Sequence, residues 1–203
     1  MKPVASGACI ENGFWQHDDV KALQMASNVN ADIDDSCPYF LKDPIAPSIA
    51  AERQGVSILL DTIEQAYDRL SFQADLIIVE TAGGALVPLN NQFHLNMLSI
   101  GKRLQLPVIL VVGIRLGAIN HALLTCQAIL ASKLSLLGWV ANRIETDTED
   151  DQDEVIALLK DQIKAPLLAD IPFMPEKQTG NAVTEQKNVH WALPDMALLL
   201  QSH

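Results

Sequence analysis

From about residue 55 onward, short and nearly uninterrupted apolar runs alternate with longer amphipathic stretches. The runs are Leu76-Ile77-Ile78-Val79, Val108-Ile109-Leu110-Val111-Val112, Leu136-Leu137-Gly138-Trp139-Val140 and Leu167-Leu168-Ala169-Asp170-Ile171. A strand buried on both faces reads as a continuous apolar run, whereas a helix lying on a sheet repeats its apolar positions every three or four residues. The pattern predicts strands at the four runs and helices near 56–72, 92–104, 118–133 and 151–164. Each helical stretch is long enough for the crossover that joins parallel strands. The expectation is a single α/β domain over 1–203, with a doubly wound, mostly parallel sheet flanked by helices. Irregular backbone is expected at 34–48, rich in Asp, Ser and Pro, and at 172–190, which carries Pro172, Pro175 and Gly180.

Composition narrows the partners. With 203 residues, 49% of them hydrophobic, the chain is long enough for one sizeable core. The 14 basic residues against 25 acidic ones give a formal charge of -11, a field that repels phosphate backbones, so nucleic acid is an unexpected partner. No window approaches the roughly 18 uncharged apolar residues of a membrane span, and the first residues lack an apolar signal core. A soluble, cytoplasmic protein without a membrane partner is expected. Cys9, Cys37 and Cys126 are few and far apart, which fits reduced structural thiols rather than a disulfide framework or a thiolate metal site.

In open parallel sheets ligands bind beyond the carboxyl ends of the strands, so chemistry is sought just after each apolar run. After 76–79 comes Glu80-Thr81-Ala82-Gly83-Gly84, an acid at a strand tip followed by a glycine pair. Such an acid can hold hydrated Mg²⁺ and the glycines let backbone N–H groups approach phosphate, although the same residues also make an ordinary turn. After 108–112 comes Gly113-Ile114-Arg115-Leu116-Gly117-Ala118-Ile119-Asn120-His121, which opens a helix. Free N–H groups at that start suit an anion such as a carboxylate, and ordinary capping explains it equally. Lys2 and Ser6 flank small residues near the beginning, and His17-Asp18-Asp19 opens another apparent helix, where the acids read as N-cap groups. His17, His94, His121, His190 and His203 show no metal-ligand spacing and are expected to be solvated or packed.

Taken in order, these segments resemble the dethiobiotin synthetase family. The resemblance is carried by KPVASG at 2–7, DD with ALQ at 18–24, VETAGG at 79–84 with VPL at 87–89, LPVILVVGIRLGAINHALLT at 106–125, GWVAN at 138–142 and APLLADIPF at 165–173. It implies a P-loop NTPase-like fold and a ligase that closes the ureido ring of dethiobiotin from 7,8-diaminopelargonate, CO₂ or bicarbonate, and ATP. It also implies Mg²⁺ and a homodimer with shared sites.

Residue by residue, the resemblance makes Lys2 the active-site lysine and Ser6 a substrate contact. Asp19 and Glu80 become the Mg²⁺-linked acids, and Glu80, Thr81, Ala82 and Gly83 form a nucleotide and substrate wall. Asn142 matches the adenine-reading asparagine; Arg143 stands beside it in the same nucleotide segment, where an acid is more familiar. Pro172, Phe173 and Met174 match the loop over the adenine. Leu116, Gly117, Ala118, Ile119 and Asn120 match the helix start that receives the diamine's carboxylate across the dimer interface, with Ala118 in place of a frequent cysteine.

Members of the family begin with a strand, a G-x-x-x-x-x-G-K-T loop and a helix, a unit missing ahead of Lys2 here. No G-K-[ST] occurs in the chain: Gly101-Lys102 is followed by Arg103. Without that loop the phosphates lose their cradle of N–H groups and the strands beside it lose ladder partners. The expectation is that Met1 is an internal methionine of a longer protein. The alternative is a non-catalytic dimeric remnant without the phosphate loop.

Overall fold

The computed structural model describes residues 1–90, 94–145, 149–174 and 190–191. The chain forms two compact units, Met1–Leu106 and Pro107–His203.

In the first unit, β1 (Val4–Ser6) leads into a hairpin of β2 (Cys9–Glu11) and β3 (Phe14–Gln16). Asn12 and Gly13 link the hairpin strands with positive φ of 52° and 85°, the conformation that a two-residue Asn-Gly turn accepts at low cost. Helices α1 (Asp18–Ala26) and α2 (Ile33–Ser36) follow, then β4 (Tyr39–Leu41), which pairs with β1 in parallel. Pro47 opens α3 (Pro47–Gln54) and left-handed Gly55 closes it. Helix α4 (Leu60–Ser71) buries Ile63, Ala66 and Leu70, spaced three and four apart along one stripe. A short pair, β5 (Pro88–Asn90) with β6 (Leu95–Asn96), precedes α5 (Met97–Arg103), where Asn96 and Ser99 form a reciprocal cap. Val4, Leu41, Ile58, Ile63, Leu89, Met97 and Ile100 make the main core of this unit.

The second unit alternates strand and helix: β7 (Val108–Ile114), α6 (Ala118–Ala131), β8 (Leu136–Arg143), α7 (Glu149–Gln162) and β9 (Leu167–Ile171), with β10 (His190–Trp191) last. β7, β8 and β9 are neighbours in parallel, and β10 joins β9 antiparallel. Val112 and Ile114 of β7 and Trp139 and Ala141 of β8 share one face of the sheet. They pack against Ala118, Ala122 and Cys126 of α6 and Ile156, Leu159 and Ile163 on and just beyond α7. Gly138 lets β9 approach closely, since a Cβ there would lie 2.6 Å from the Leu168 Cγ. This is an α/β fold of parallel strands flanked by helices, as the alternation of runs predicts. Among the described residues no helix is long and apolar enough to cross a membrane.

Three of the four apolar runs are strands; 76–79 is not. Among the described residues its main chain bonds at Met1, whose nitrogen donates to the Ile78 carbonyl at 2.8 Å and whose carbonyl accepts from the N–H of the following Glu80 at 2.9 Å. Two bonds without a continuing ladder leave no regular strand, and Leu76 and Ile78 stay exposed. The helix expected over 56–72 starts only at Leu60: 56–59 has no regular structure, and Leu59, the N-cap, is extended. Of the stretch 92–104, residues 95–96 are strand and only 97–103 helix; 91–93 lie outside the described residues. The stretch 34–48 is more ordered than its Asp, Ser and Pro content suggests: most of α2 and all of β4 fall in it, with Tyr39, Phe40 and Leu41 all buried. Of 172–190, only 172–174 and His190 are described.

Candidate active site

Lys2 lies just before β1, with its N–H donating to the Ser36 carbonyl at 2.7 Å. The contact of Met1 with Ile78 and Glu80 brings the end of the 76–79 run alongside. The Lys2 side chain is only 5% exposed, and its Nζ sits 2.8 Å from Asp19 Oδ2 and 2.7 Å from Glu80 Oε1. A buried ammonium without partners would be costly, and two carboxylates stabilise it here. Burial works to discharge the ammonium, but the hydrogen bonds to Asp19 and Glu80 more than offset it and hold its pKa above that of an ordinary lysine. The hydrogen bond from Lys2 in turn lowers the Asp19 pKa against a smaller opposing effect of burial.

One ammonium and two carboxylates leave this cluster with a net negative charge. Each acid is about half exposed and bonds Lys2 through a single oxygen, which leaves its other oxygen for a hydrated cation. Among the described residues no group of three or more His, Cys, Asp or Glu side chains gathers as a metal site. A hard ion that keeps most of its waters, as Mg²⁺ does, fits two carboxylates; an ion demanding a full protein cage does not.

Ser6 ends β1 with its hydroxyl buried and, among the described residues, without a hydrogen-bond partner. Its carbonyl lies 3.1 Å from His17 Nε2, while His17 Nδ1 accepts from Asp19 N–H at 3.2 Å. Because Nδ1 accepts, Nε2 carries the proton and donates to Ser6. His17 thus caps α1 and ties Asp19 to the Ser6 strand. Its position just ahead of Asp18-Asp19 is the sequence signal of that role, although the acids there read as the caps. Thr81, Ala82 and Gly83 follow Glu80 in irregular backbone, and Gly83 holds φ 75° with Val87 close beside it.

In the second unit, Leu116 is 98% exposed and Gly117, at φ 89°, is the N-cap of α6, followed by buried Ala118, half-buried Ile119 and exposed Asn120. Among the described residues no side chain caps this helix start; the Ala118 N–H donates to the Arg115 carbonyl at 3.0 Å, which leaves the N–H groups of Ile119 and Asn120 for an anion. A pocket of about 310 Å³ adjoins it, lined by Val112, Gly113, Ala118 and Ala122 with Arg115, His121 and Thr125 as polar members. From the sequence alone, Arg115 is given no role and His121 reads as solvated or packed. The only signal for them was their place on either side of the Gly117 helix start.

Asn142 and Arg143 are the last residues of β8, and Pro172, Phe173 and Met174 directly follow β9. Asn142 is in register with Gly113 on one side and Ile171 on the other, which sets it beside the 172–174 segment. Arg143 is held by two acids: Nε and Nη2 grip Asp170 at 2.9 and 2.7 Å, and Nη2 also reaches Asp153 at 2.6 Å. The structure therefore gathers Lys2, Ser6, Asp19 and Glu80 in the first unit. In the second it sets Asn142 beside 172–174 and places 116–120 after the neighbouring strand.

The family model described as an AAA domain matches residues 1–179. The ATP-dependent dethiobiotin synthetase of Nitrosospira multiformis is 47% identical over 173 residues, which is 85% of this chain and 74% of the relative. That of Aromatoleum aromaticum is 46% identical over 174 residues, covering 86% and 76%. That of Xanthomonas oryzae pv. oryzae is 41% identical over 180 residues, covering 89% and 79%. Identity at this level over most of both partners, on an α/β fold with a clustered lysine and two acids, means that the chain belongs to the dethiobiotin synthetase family.

Proposed function

We propose that the protein is a cytoplasmic, homodimeric ATP-dependent dethiobiotin synthetase of biotin biosynthesis. One amine of 7,8-diaminopelargonate adds to CO₂ to give a carbamate. A carbamate oxygen attacks the γ-phosphorus of ATP and releases ADP, and the second amine then attacks the carbamoyl carbon. Expulsion of phosphate closes the ureido ring.

Little covalent work falls to the protein, so its contribution is placement and charge neutralisation. The observation that carries the reading is the nearly buried Lys2 ammonium between Asp19 and Glu80. Its raised pKa keeps it charged at any physiological pH, ready to meet the carbamate and γ-phosphoryl oxygens as their charge shifts. Ser6, with its unpartnered hydroxyl, is suited to a substrate amine or carbamate. Asp19 and Glu80 would hold Mg²⁺, which when bound neutralises phosphate charge. The open start of α6, with Arg115 nearby, suits the carboxylate of the diamine. Asn142 and 172–174 suit the adenine.

The test is product formation by protein expressed from its whole reading frame, supplied with the diamine, bicarbonate, ATP and Mg²⁺. Lys2→Ala is expected to lower kcat roughly 100- to 1,000-fold, the range for losing one preorganised transition-state donor. Unchanged kcat in that variant overturns the role of Lys2, and absence of dethiobiotin from the parent protein overturns the function.

A further inference from the structure

The β8–β9 ladder ends at the pair Asn142↔Ile171. One residue further along β8, Arg143 makes two parallel bonds to the Asp170 carboxylate of β9 and a third bond to Asp153 of α7. Neighbouring residues of a strand point to opposite faces. Arg143 therefore lies on the face of Trp139 and Ala141, covered by α7, and Asn142 on the other. The Arg143 side chain is 15% exposed, and a bidentate fork fixes direction as well as distance. Its pKa is raised, foremost by the hydrogen bond to Asp170 and against the effect of burial. Among the described residues the Asn142 amide has no hydrogen-bond partner. Its aim depends on how firmly the end of β8 is held.

We propose that Arg143 is a positioning residue for nucleotide selection. By clamping the ends of β8, β9 and α7 together, it fixes Asn142 and the 172–174 segment against each other at the spacing that accepts adenine. A strand end without such a brace frays, and an amide that reads a base edge loses discrimination when it swings. This rests on the assignment of Asn142 to the nucleotide base.

The experiment compares kcat and KM for ATP and GTP in the parent protein and in Asn142→Ala, Arg143→Lys, Asp170→Asn and Asp153→Asn, with melting temperatures alongside. Arg143→Lys and Asp170→Asn are each expected to raise KM for ATP about tenfold, the effect of one misplaced hydrogen bond, and to shrink the ATP over GTP preference alike. At saturating ATP, kcat falls less than about threefold, since the reacting atoms are untouched. Joining the two substitutions adds little, because both break one pair. Asp153→Asn keeps the fork and gives a smaller shift in the same direction, which serves if the stronger variants fold poorly. A lowered melting temperature with unchanged KM and unchanged preference overturns the proposal and leaves Arg143 a stabilising residue only. If Asn142→Ala itself leaves the preference unchanged, the base assignment falls, and the proposal with it. If Asn142→Ala shifts the preference but none of the clamp variants does, only the proposal falls.

Discussion

Lys2 Nζ and Glu80 Oε1 lie 2.7 Å apart although 78 residues separate them in sequence. The contact is made by the main chain as much as by the charges. Met1 bonds to Ile78 and Glu80, which holds the Glu80 backbone beside Lys2. Asp19 completes the cluster from the first turn of α1, whose start is fixed by His17. A buried cation with two half-exposed acids is poised toward its open side.

That arrangement predicts how the acids respond to neutralisation. Glu80→Gln and Asp19→Asn keep the shape and a bond to Lys2 but remove the charge offered to a cation. The Mg²⁺ concentration for half-maximal velocity is expected to rise about 10- to 100-fold in each. Asp18→Asn, next to Asp19 but without a bond to Lys2, is expected to leave it unchanged. Equal responses of Asp18 and Asp19 variants would remove the special place given to the cluster.

How much of this was legible in the sequence depends on the range of the forces involved. β7, β8 and β9 with α6 and α7 were readable because their apolar period is local and their burial continuous. The run 76–79 has the same apolar signal, yet a strand needs a ladder, and ladders are set by neighbours that one segment does not announce. Residues 39–41 hid in a polar stretch because three buried positions are too few to make a period. The Asn12-Gly13 turn was a strong local signal, but its strands are only three residues each. At the site, Lys2, Asp19 and Glu80 came from family strings; nothing in their spacing says that they touch. Arg143 looked anomalous beside Asn142 until Asp170 and Asp153 appeared opposite it.

Gly138 gives a test of packing apart from chemistry. A Cβ added there would meet Leu168 Cγ, Cδ2 and Cδ1 at 2.6–2.8 Å, and Leu168 is buried with little room to retreat. Gly138→Ala is expected to destabilise by roughly 1–3 kcal/mol, the cost of overpacking a strand contact. Gly84→Ala, where nothing lies within 4 Å, serves as the control. Urea unfolding midpoints that match between the two variants would contradict the close approach of β8 and β9.

Gly117 gives a test of the α6 start. Its φ of 89° is left-handed, and an alanine there carries a strain of about 1–2 kcal/mol. Relief by rotating the first turn moves the open N–H groups away from an anion. Gly117→Ala is expected to raise KM for the diamine several-fold, on the order of the strain imposed, while KM for ATP stays put. A rise in both would point to general loosening instead.

The last prediction concerns pH and the thiols. Burial pushes the Cys37 thiol up to about 12 from its usual 9.0, and Cys126 is raised by burial as well, whereas Cys9 lies exposed. Only the thiolate is nucleophilic, so at pH 8 an alkylating reagent is expected to label Cys9 in the folded protein and to reach Cys37 only after denaturation. The same shift has a stability consequence. Between pH 9 and about 12 the unfolded chain releases the Cys37 proton while the folded protein keeps it. The unfolded state then binds fewer protons, so stability falls as pH rises, by at most about 1.4 kcal/mol per pH unit from this group. Below pH 9 the group contributes no slope. Cys37→Ala is expected to flatten the alkaline limb of the urea midpoint against pH, and an unaltered limb would assign that loss to other groups.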